Sequence, residues 1–170
     1  MLNEKIFKML NEQINKELYS AYLYLAMADY YNEEGLEGFE NWFVVQAKEE
    51  MSHAMLIRTY LLNNGAHIEL LPIDAPAVSY EDYATPLNEA LEHEKFVTAS
   101  INEIYEAAQD AKDHPTVGFL NWFIEEQAEE EKSAEDLIIK YELFGEDSQG
   151  LYLLDKEFGE RTYSPPSLEL

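Results

Sequence analysis

Cysteine is absent from all 170 residues of the chain, which removes disulfide frameworks, thiolate metal sites and thiol nucleophiles together. Any bound metal must be held by oxygen and nitrogen. Basic residues are scarce too: 11 Lys and Arg stand against 35 Asp and Glu, a formal net charge of −24. This surplus of carboxylates repels nucleic-acid phosphates and draws cations, so no nucleic-acid partner is expected. No apolar run approaches the roughly 20 residues needed to span a bilayer, so no membrane partner is expected either. Met1 to Ile14 form a charged amphipathic stretch without the apolar core and small-residue cleavage site of a secretory signal, and the expected compartment is the cytoplasm. Apolar residues, in contrast, make up 46% of the chain, too many for a disordered acidic tail and enough for one domain with a core.

The 7 glycines and 6 prolines cluster at a few places, and between them apolar residues recur with helical spacing. This punctuation predicts four long helices. The first runs from about Asn3 to Glu34 and stops near Gly35 and Gly38. The second runs from about Phe39 to Asn64 and stops at Gly65, a residue suited to the left-handed conformation just past a helix end. The third begins near Thr85, which can cap it with Pro86 at the first helical position, and ends near Asp110. Asp113, His114 and Pro115 open the fourth, which ends before Gly145. Leu151, Leu154 and Phe158 mark a short fifth helix. Residues 164–170, with Pro165 and Pro166, read as a flexible tail, leaving 1–163 as the domain.

Short links make the first two helices, and the third and fourth, antiparallel hairpins. The second and third are separated by about 19 residues, which at roughly 3.3 Å per extended residue reach about 60 Å, whereas a helix of about 27 residues is only about 40 Å long. The expectation is an all-α four-helix bundle with one long crossover and a short fifth helix.

Polar residues interrupt each apolar stripe. Ile14, Leu18, Ala21, Leu25 and Ala28 enclose Glu17; Phe43, Ala47, Ala54, Ile57 and Leu61 enclose Glu50 and His53. Leu87, Leu91, Val97, Ile101 and Tyr105 enclose Glu94, and Leu120, Phe123, Ala134, Leu137 and Tyr141 enclose Gln127 and Glu130. Their depths agree: Glu17 lies 19 residues before Leu36, with Glu50 14 and His53 17 after it, and Glu94 lies 18 before Lys112, with Gln127 15 and Glu130 18 after it. Residues 17, 50 and 53 recur 77 positions later as 94, 127 and 130. Buried carboxylates cost several kcal/mol each unless paired or metal-bound, and four of them with one histidine cannot neutralise one another. A pair of divalent metals would, and oxygen-rich ligation with one imidazole suits iron or manganese.

The stretches Glu17-Leu18-Tyr19-Ser20-Ala21-Tyr22-Leu23-Tyr24, Gly38-Phe39 with Asn41-Trp42-Phe43, Glu49-Glu50-Met51-Ser52-His53-Ala54 and Glu126-Gln127-Ala128-Glu129-Glu130-Glu131 together resemble the bacterial and archaeal non-haem ferritins over nearly the whole chain. The ferritin-like fold places a Glu from each of two helices and Glu-x-x-His from the other two in the bundle core. The resemblance implies that Glu17, Glu50 and His53 hold one iron, with Glu50 bridging to a second held by Glu94 and Glu130. Gln127 would lie beside the pair, more as a hydrogen-bonding group than a ligand, and Tyr24 matches a tyrosine near the dinuclear site. Glu49, Glu126, Glu129 and the shared Glu130 match a third iron site.

The resemblance further implies a ferroxidase that takes Fe(II) and O2 or H2O2, moves Fe(III) to a cavity as mineral, and assembles as a homo-oligomeric hollow cage of twenty-four subunits. Bacterioferritins carry Glu-x-x-His on the fourth helix too, where this chain reads Gln127-x-x-Glu130. Their haem-binding methionine position is occupied by Met51, but haem-free ferritins share it, so no haem is expected. The acidic iron entrance of animal ferritins would fall at Val117 and Leu120, which carry no charge. Gly-Phe-x-Asn-Trp-Phe recurs 80 residues on, at Gly118 to Phe123, as a helix-start packing motif, and Trp42 and Trp122 read as core or interface aromatics. A di-iron oxidase or peroxidase without storage and a metal-free acidic helical binding module are the alternatives.

Overall fold

The computed structural model describes residues 3–77 and 79–168; Met1 and Leu2 of the N-terminal stretch, Val78 of the crossover, and Glu169 and Leu170 of the expected tail lie outside the described residues. Five helices follow one another: α1 Glu4–Glu33, α2 Glu37–Asn63, α3 Ala84–Asp110, α4 His114–Phe144 and α5 Ser148–Phe158. Three of them start on local caps. The side chain of Asn3 accepts from Lys5 N, that of Asp113 from Thr116 N and Oγ1, and that of Asp147 from Gly150 N, each satisfying donors that the first turn leaves free. Gly35 and Gly65, at φ 79° and 74°, end α1 and α2 in the left-handed conformation, and Lys112 takes it at φ 56° after α3.

Two helix starts differ from the sequence reading. Thr85 is already inside the first turn of α3, and the cap is Asp82, whose Oδ1 accepts from Ala84 N, Thr85 N and Thr85 Oγ1 at 3.0, 2.8 and 2.8 Å. A carboxylate is the stronger acceptor there, and its charge suits the helix N-terminus. α2 begins at Glu37, two residues before the expected Phe39, because its cap comes from another element: Asp155 of α5 accepts from Gly38 N at 2.7 Å and Phe39 N at 3.1 Å. The approach is so close that a Cβ on Gly38 would sit 1.6 Å from the Asp155 carbonyl oxygen.

The crossover runs the length of the bundle along α1. Asn11 exchanges two hydrogen bonds with the Glu69 backbone, Asn15 donates to Pro72 O at 2.9 Å, and at the far end Tyr31 OH donates to Tyr83 O at 2.6 Å. α3 is thereby antiparallel to α1 and parallel to α2.

The core is two apolar clusters. One gathers Tyr31, Phe39, Phe43, Leu137 and Phe158 at the α1–α2 turn; the other gathers Leu10, Ile57, Ile101, Phe119 and Phe123 at the opposite end. Between them lies the polar layer. One expected stripe residue falls outside the core: Leu25 is 43% exposed, since the true stripe of α1 tracks Ile14, Glu17, Ala21, Tyr24 and Ala28. Residues 159–168 turn back over α2 and α4, where Tyr163 OH pairs with Ser52 Oγ and Trp122 Nε1 donates to Ser167 Oγ.

Candidate metal centre

Glu17, Glu50, His53, Glu94, Gln127 and Glu130 are all buried and converge in the layer between the two apolar clusters. Glu17, Glu50 and His53 each offer a ligand atom within 4.8 Å of the others, and so do Glu50, Glu94 and Glu130. Glu50 belongs to both sets. Its position on α2, i, i+3 from His53, turns one oxygen towards the imidazole, with Nδ1 3.5 Å from Glu50 Oε2.

Hydrogen bonds hold the carboxylates from behind. Gln13 Nε2 donates to Glu17 Oε1 at 2.8 Å, and its own Oε1 is fixed by Ser100 Oγ at 2.6 Å. Gln46 Nε2 donates to Glu130 Oε2 at 2.6 Å and Glu50 Oε1 at 3.1 Å. Tyr24 OH donates to Glu94 Oε1, and Gln127 Nε2 to Glu94 Oε2 at 3.2 Å. Gln127 thus serves Glu94 as a donor through its amide nitrogen. Gln13 and Gln46 were not singled out in the sequence, although both stand four residues before a layer glutamate on the same helix face, a repeated Gln-x-x-x-Glu that marks them.

Electrostatically the layer is under strain. Burial pushes the Glu50 carboxyl well above its ordinary range, with Glu94 and Glu17 adding to the rise against the opposing pull of His53. Burial likewise carries Glu94 up to about 7, held back by Tyr24 and Gln127, and Glu130 up to about 8, helped by Glu94. Burial alone would lower the His53 imidazole, but the flanking Glu126 and Glu50 carboxylates and the field of Glu17 outweigh it and leave it well above its usual value. Burial and Glu94 push the Tyr24 phenol far up, so it stays a donor. No Lys or Arg is among the buried residues of the described chain, and Glu17 Oε2 and His53 Nδ1 are buried without a hydrogen-bond partner. Unpartnered ligand atoms buried in a carboxylate-rich layer are what a hard divalent cation satisfies, displacing the proton from the imidazole.

The remaining expected site residues separate. Glu126 approaches His53, with Oε1 3.7 Å from Nε2, and forms a set with His53 and Glu130. Glu49 and Glu129 belong to none of these sets: Glu129 is exposed, and Glu49 turns to Arg161. Met51 is half-exposed beside Met55 and Pro166. Leu120 is fully buried in the second apolar cluster, with Val117 packed against it. Trp42 packs in the first cluster against Phe43, while Trp122 sets its ring edge-on to His53 at 5.6 Å.

A family model described as the ferritin-like domain matches residues 7–144, which span α1 within two turns of its start through the end of α4 and contain every residue of the layer. The chain belongs to the ferritin family. The bacterial non-haem ferritin of Staphylococcus aureus strain USA300 is 40% identical over 163 residues, covering 96% of this chain and 98% of that protein. A probable bacterial non-haem ferritin-like protein of Haemophilus influenzae is 40% identical over 159 residues, 94% of this chain and 96% of its own. Among solved structures, the open-pore ferritin of the hyperthermophilic archaeon Archaeoglobus fulgidus superposes with a TM-score of 0.93 at 42% identity, covering 95% of this chain and 100% of its own. An engineered closed form of that ferritin gives 0.94 at 41% identity over 96% of this chain and 100% of its own. The four-helix bundle with a crossover and short fifth helix is therefore the ferritin fold.

Proposed function

We propose that this ferritin is an iron-storage protein whose layer oxidises Fe(II), its substrate, in pairs. The observation that carries this reading is the sharing of Glu50 by two buried ligand sets in a layer that contains no Lys or Arg. Glu17, Glu50 and His53 receive one Fe(II), and Glu50, Glu94 and Glu130 the other. Each iron gives up one electron; O2 takes two electrons and two protons to leave as H2O2, or H2O2 takes the same to leave as two waters. Carboxylates favour the ferric product and change between bridging and terminal modes, and the all-oxygen second position, with Gln127 donating to Glu94 in place of a ligand, releases iron more readily than the first. Fe(III) then passes by Glu126, Glu129, Glu130 and Glu49, the third position, to a cavity in which it is stored as mineral.

Storage needs a shell. The half-exposed or more exposed apolar side chains Tyr22, Leu143, Phe144, Tyr152 and Leu153 along α1, the end of α4 and α5 support burial between subunits, and we infer a homo-oligomeric cage of twenty-four, haem-free and cytoplasmic. The surplus negative charge would draw Fe(II) towards it. Adding Fe(II) to the metal-free protein in air is expected to give oxidation faster than buffer, and electron microscopy to show a hollow sphere that fills with dense mineral. Rapid oxidation by a particle that is not hollow would move the reading to a di-iron oxidase or peroxidase. No acceleration, together with no metal bound, would leave an acidic helical binding module.

A further inference from the structure

One cation intrudes on this carboxylate system, and it comes from outside the four-helix bundle. Among the described residues, Arg161 is the one Lys or Arg that forms an ion pair with any of the seven carboxylates assigned above: its Nη2 lies 2.5 Å from Glu49 Oε2. The other Lys ion pairs of the described residues join Glu4, Glu92, Asp136 and Glu157. Arg161 sits just past α5, on a turn that Asn41 anchors by donating from Nδ2 to the carbonyls of Phe158 at 3.2 Å and Arg161 at 2.9 Å. Its guanidinium lies over the Trp42 ring, with the central carbon 4.1 Å from the centroid, and Nη1 donates to Trp42 O at 3.1 Å. Nη2 also donates to Gln46 Oε1 at 2.9 Å, so the amide nitrogen of Gln46 is left facing Glu50 and Glu130.

We propose that Arg161 is a displaceable counter-cation that occupies Glu49, so that the third metal position is filled only when the guanidinium gives up this carboxylate. The inference rests on the reading of Glu49 as part of that position. A guanidinium on Glu49 Oε2 and a divalent ion on the same carboxylate compete, because like charges repel where solvent is partly excluded. Glu49 pairs with Arg161 and stands outside the ligand sets, while Glu126 and Glu130 share one with His53. The stack on Trp42 and the bond to its carbonyl let the head group leave Glu49 without the segment coming loose. The third position then binds weakly by construction, which suits a place where iron passes and does not stay. Arg161 is a positioning residue in this scheme, since it acts through Glu49.

The test is calorimetric titration of the intact, assembled, metal-free protein with Zn(II), which binds without oxidation. Wild type is expected to take two ions tightly and a third weakly. In Arg161→Gln the third event should tighten by about tenfold, the equivalent of one charge-assisted hydrogen bond no longer broken, while the first two do not tighten. Asn41→Ala, which frees the anchored turn and keeps the arginine, should tighten it less, and serves if Arg161→Gln fails to assemble. In Glu49→Gln the third event should weaken and become insensitive to Arg161→Gln. A third event unchanged within about twofold, or weakened, in Arg161→Gln and Asn41→Ala would overturn the proposal, since a structural role lowers the melting temperature without raising affinity. Absence of the two tight events from wild type would instead defeat the dinuclear reading, whatever Arg161 does.

Discussion

The α1–α2 and α3–α4 hairpins bring matching positions to one layer and fill them differently. The first supplies Glu17, Glu50 and His53; the second, at the same depths, supplies Glu94, Gln127 and Glu130. Position 50 is a carboxylate shared by both ligand sets, whereas its counterpart Gln127 is an amide that donates to Glu94. Position 53 is the single imidazole, whereas its counterpart Glu130 is one more carboxylate. The starts of α2 and α4 repeat the pattern: Gly38 is pressed against Asp155, while a Cβ on Gly118 would meet nothing within 4 Å. Equivalent sequence positions thus carry different constraints, because Asp155 of α5 docks onto the backbone at the start of α2, whereas the start of α4 is met by the later Ser167, on the side chain of Trp122.

The sharpest break of this comparison is the double variant Glu50→Ala with His53→Ala, which strips the first hairpin of the shared carboxylate and the imidazole. Initial Fe(II) oxidation is expected to fall by about 100-fold or more, beyond the loss usual for groups that merely support a metal ligand. A rate equal to the parent's would remove the site assignment. Next is Gly38→Ala, which drives a methyl into the Asp155 backbone and separates α5 from the α2 start; a cost of about 2–3 kcal/mol should appear in chemical denaturation. Gln127→Glu makes the second hairpin resemble the first. It should tighten the second Zn(II) event by about tenfold and lower the melting temperature of the metal-free protein, because another carboxylate joins the layer.

Acidity tests the layer as a whole. The Glu50, Glu94 and Glu130 carboxyls titrate above the ordinary 4.5 in the metal-free fold, the latter two at about 7 and about 8, and His53 is raised as well. Across that window the folded state holds protons that the unfolded chain has released, so stability is present at low pH and is lost as pH rises. The melting temperature of the metal-free protein should fall between about pH 5 and about pH 8.5, and saturating Zn(II), which replaces the protons, should flatten or reverse the slope. A metal-free protein that gains stability over that range would contradict the shared-layer electrostatics. The smallest effect is expected from Gly118→Ala, which meets open space within a helix and should raise stability by about 0.5–1 kcal/mol, opposite in sign to Gly38→Ala.

Much of this architecture is legible in the sequence. Helical periodicity located all five helices, and the turn glycines at 35 and 65 lie where chain punctuation put them. The length of the link between α2 and α3 was enough to set the crossover. Glu17, Glu50, His53, Glu94, Gln127 and Glu130 could be found because charge inside an apolar stripe is costly, and the cost leaves a mark on each helix separately. Leu25 and Tyr24 both fit helical spacing from Ala21, at four and three residues, and the buried place goes to Tyr24, whose hydroxyl serves Glu94. Asp82 and Thr85 are both residue types that cap helices, and local sequence does not choose between them, while the Asp155 cap lies on a different helix and does not follow from the residues at the α2 start.

Sequence by itself determined the helices, their hairpins, the crossover and the identity of the polar layer, since each follows from spacing along a single segment and from the energetic penalty of an isolated buried charge. Tertiary structure alone decided which carboxylates share a ligand set, that Gln46 reaches across to Glu130, and that Glu49 turns away to Arg161, 112 residues further along the chain. Those outcomes depend on distances of a few ångströms between separate elements. Coulomb energies and hydrogen bonds vary steeply over that range, and periodicity along the chain carries no information about it.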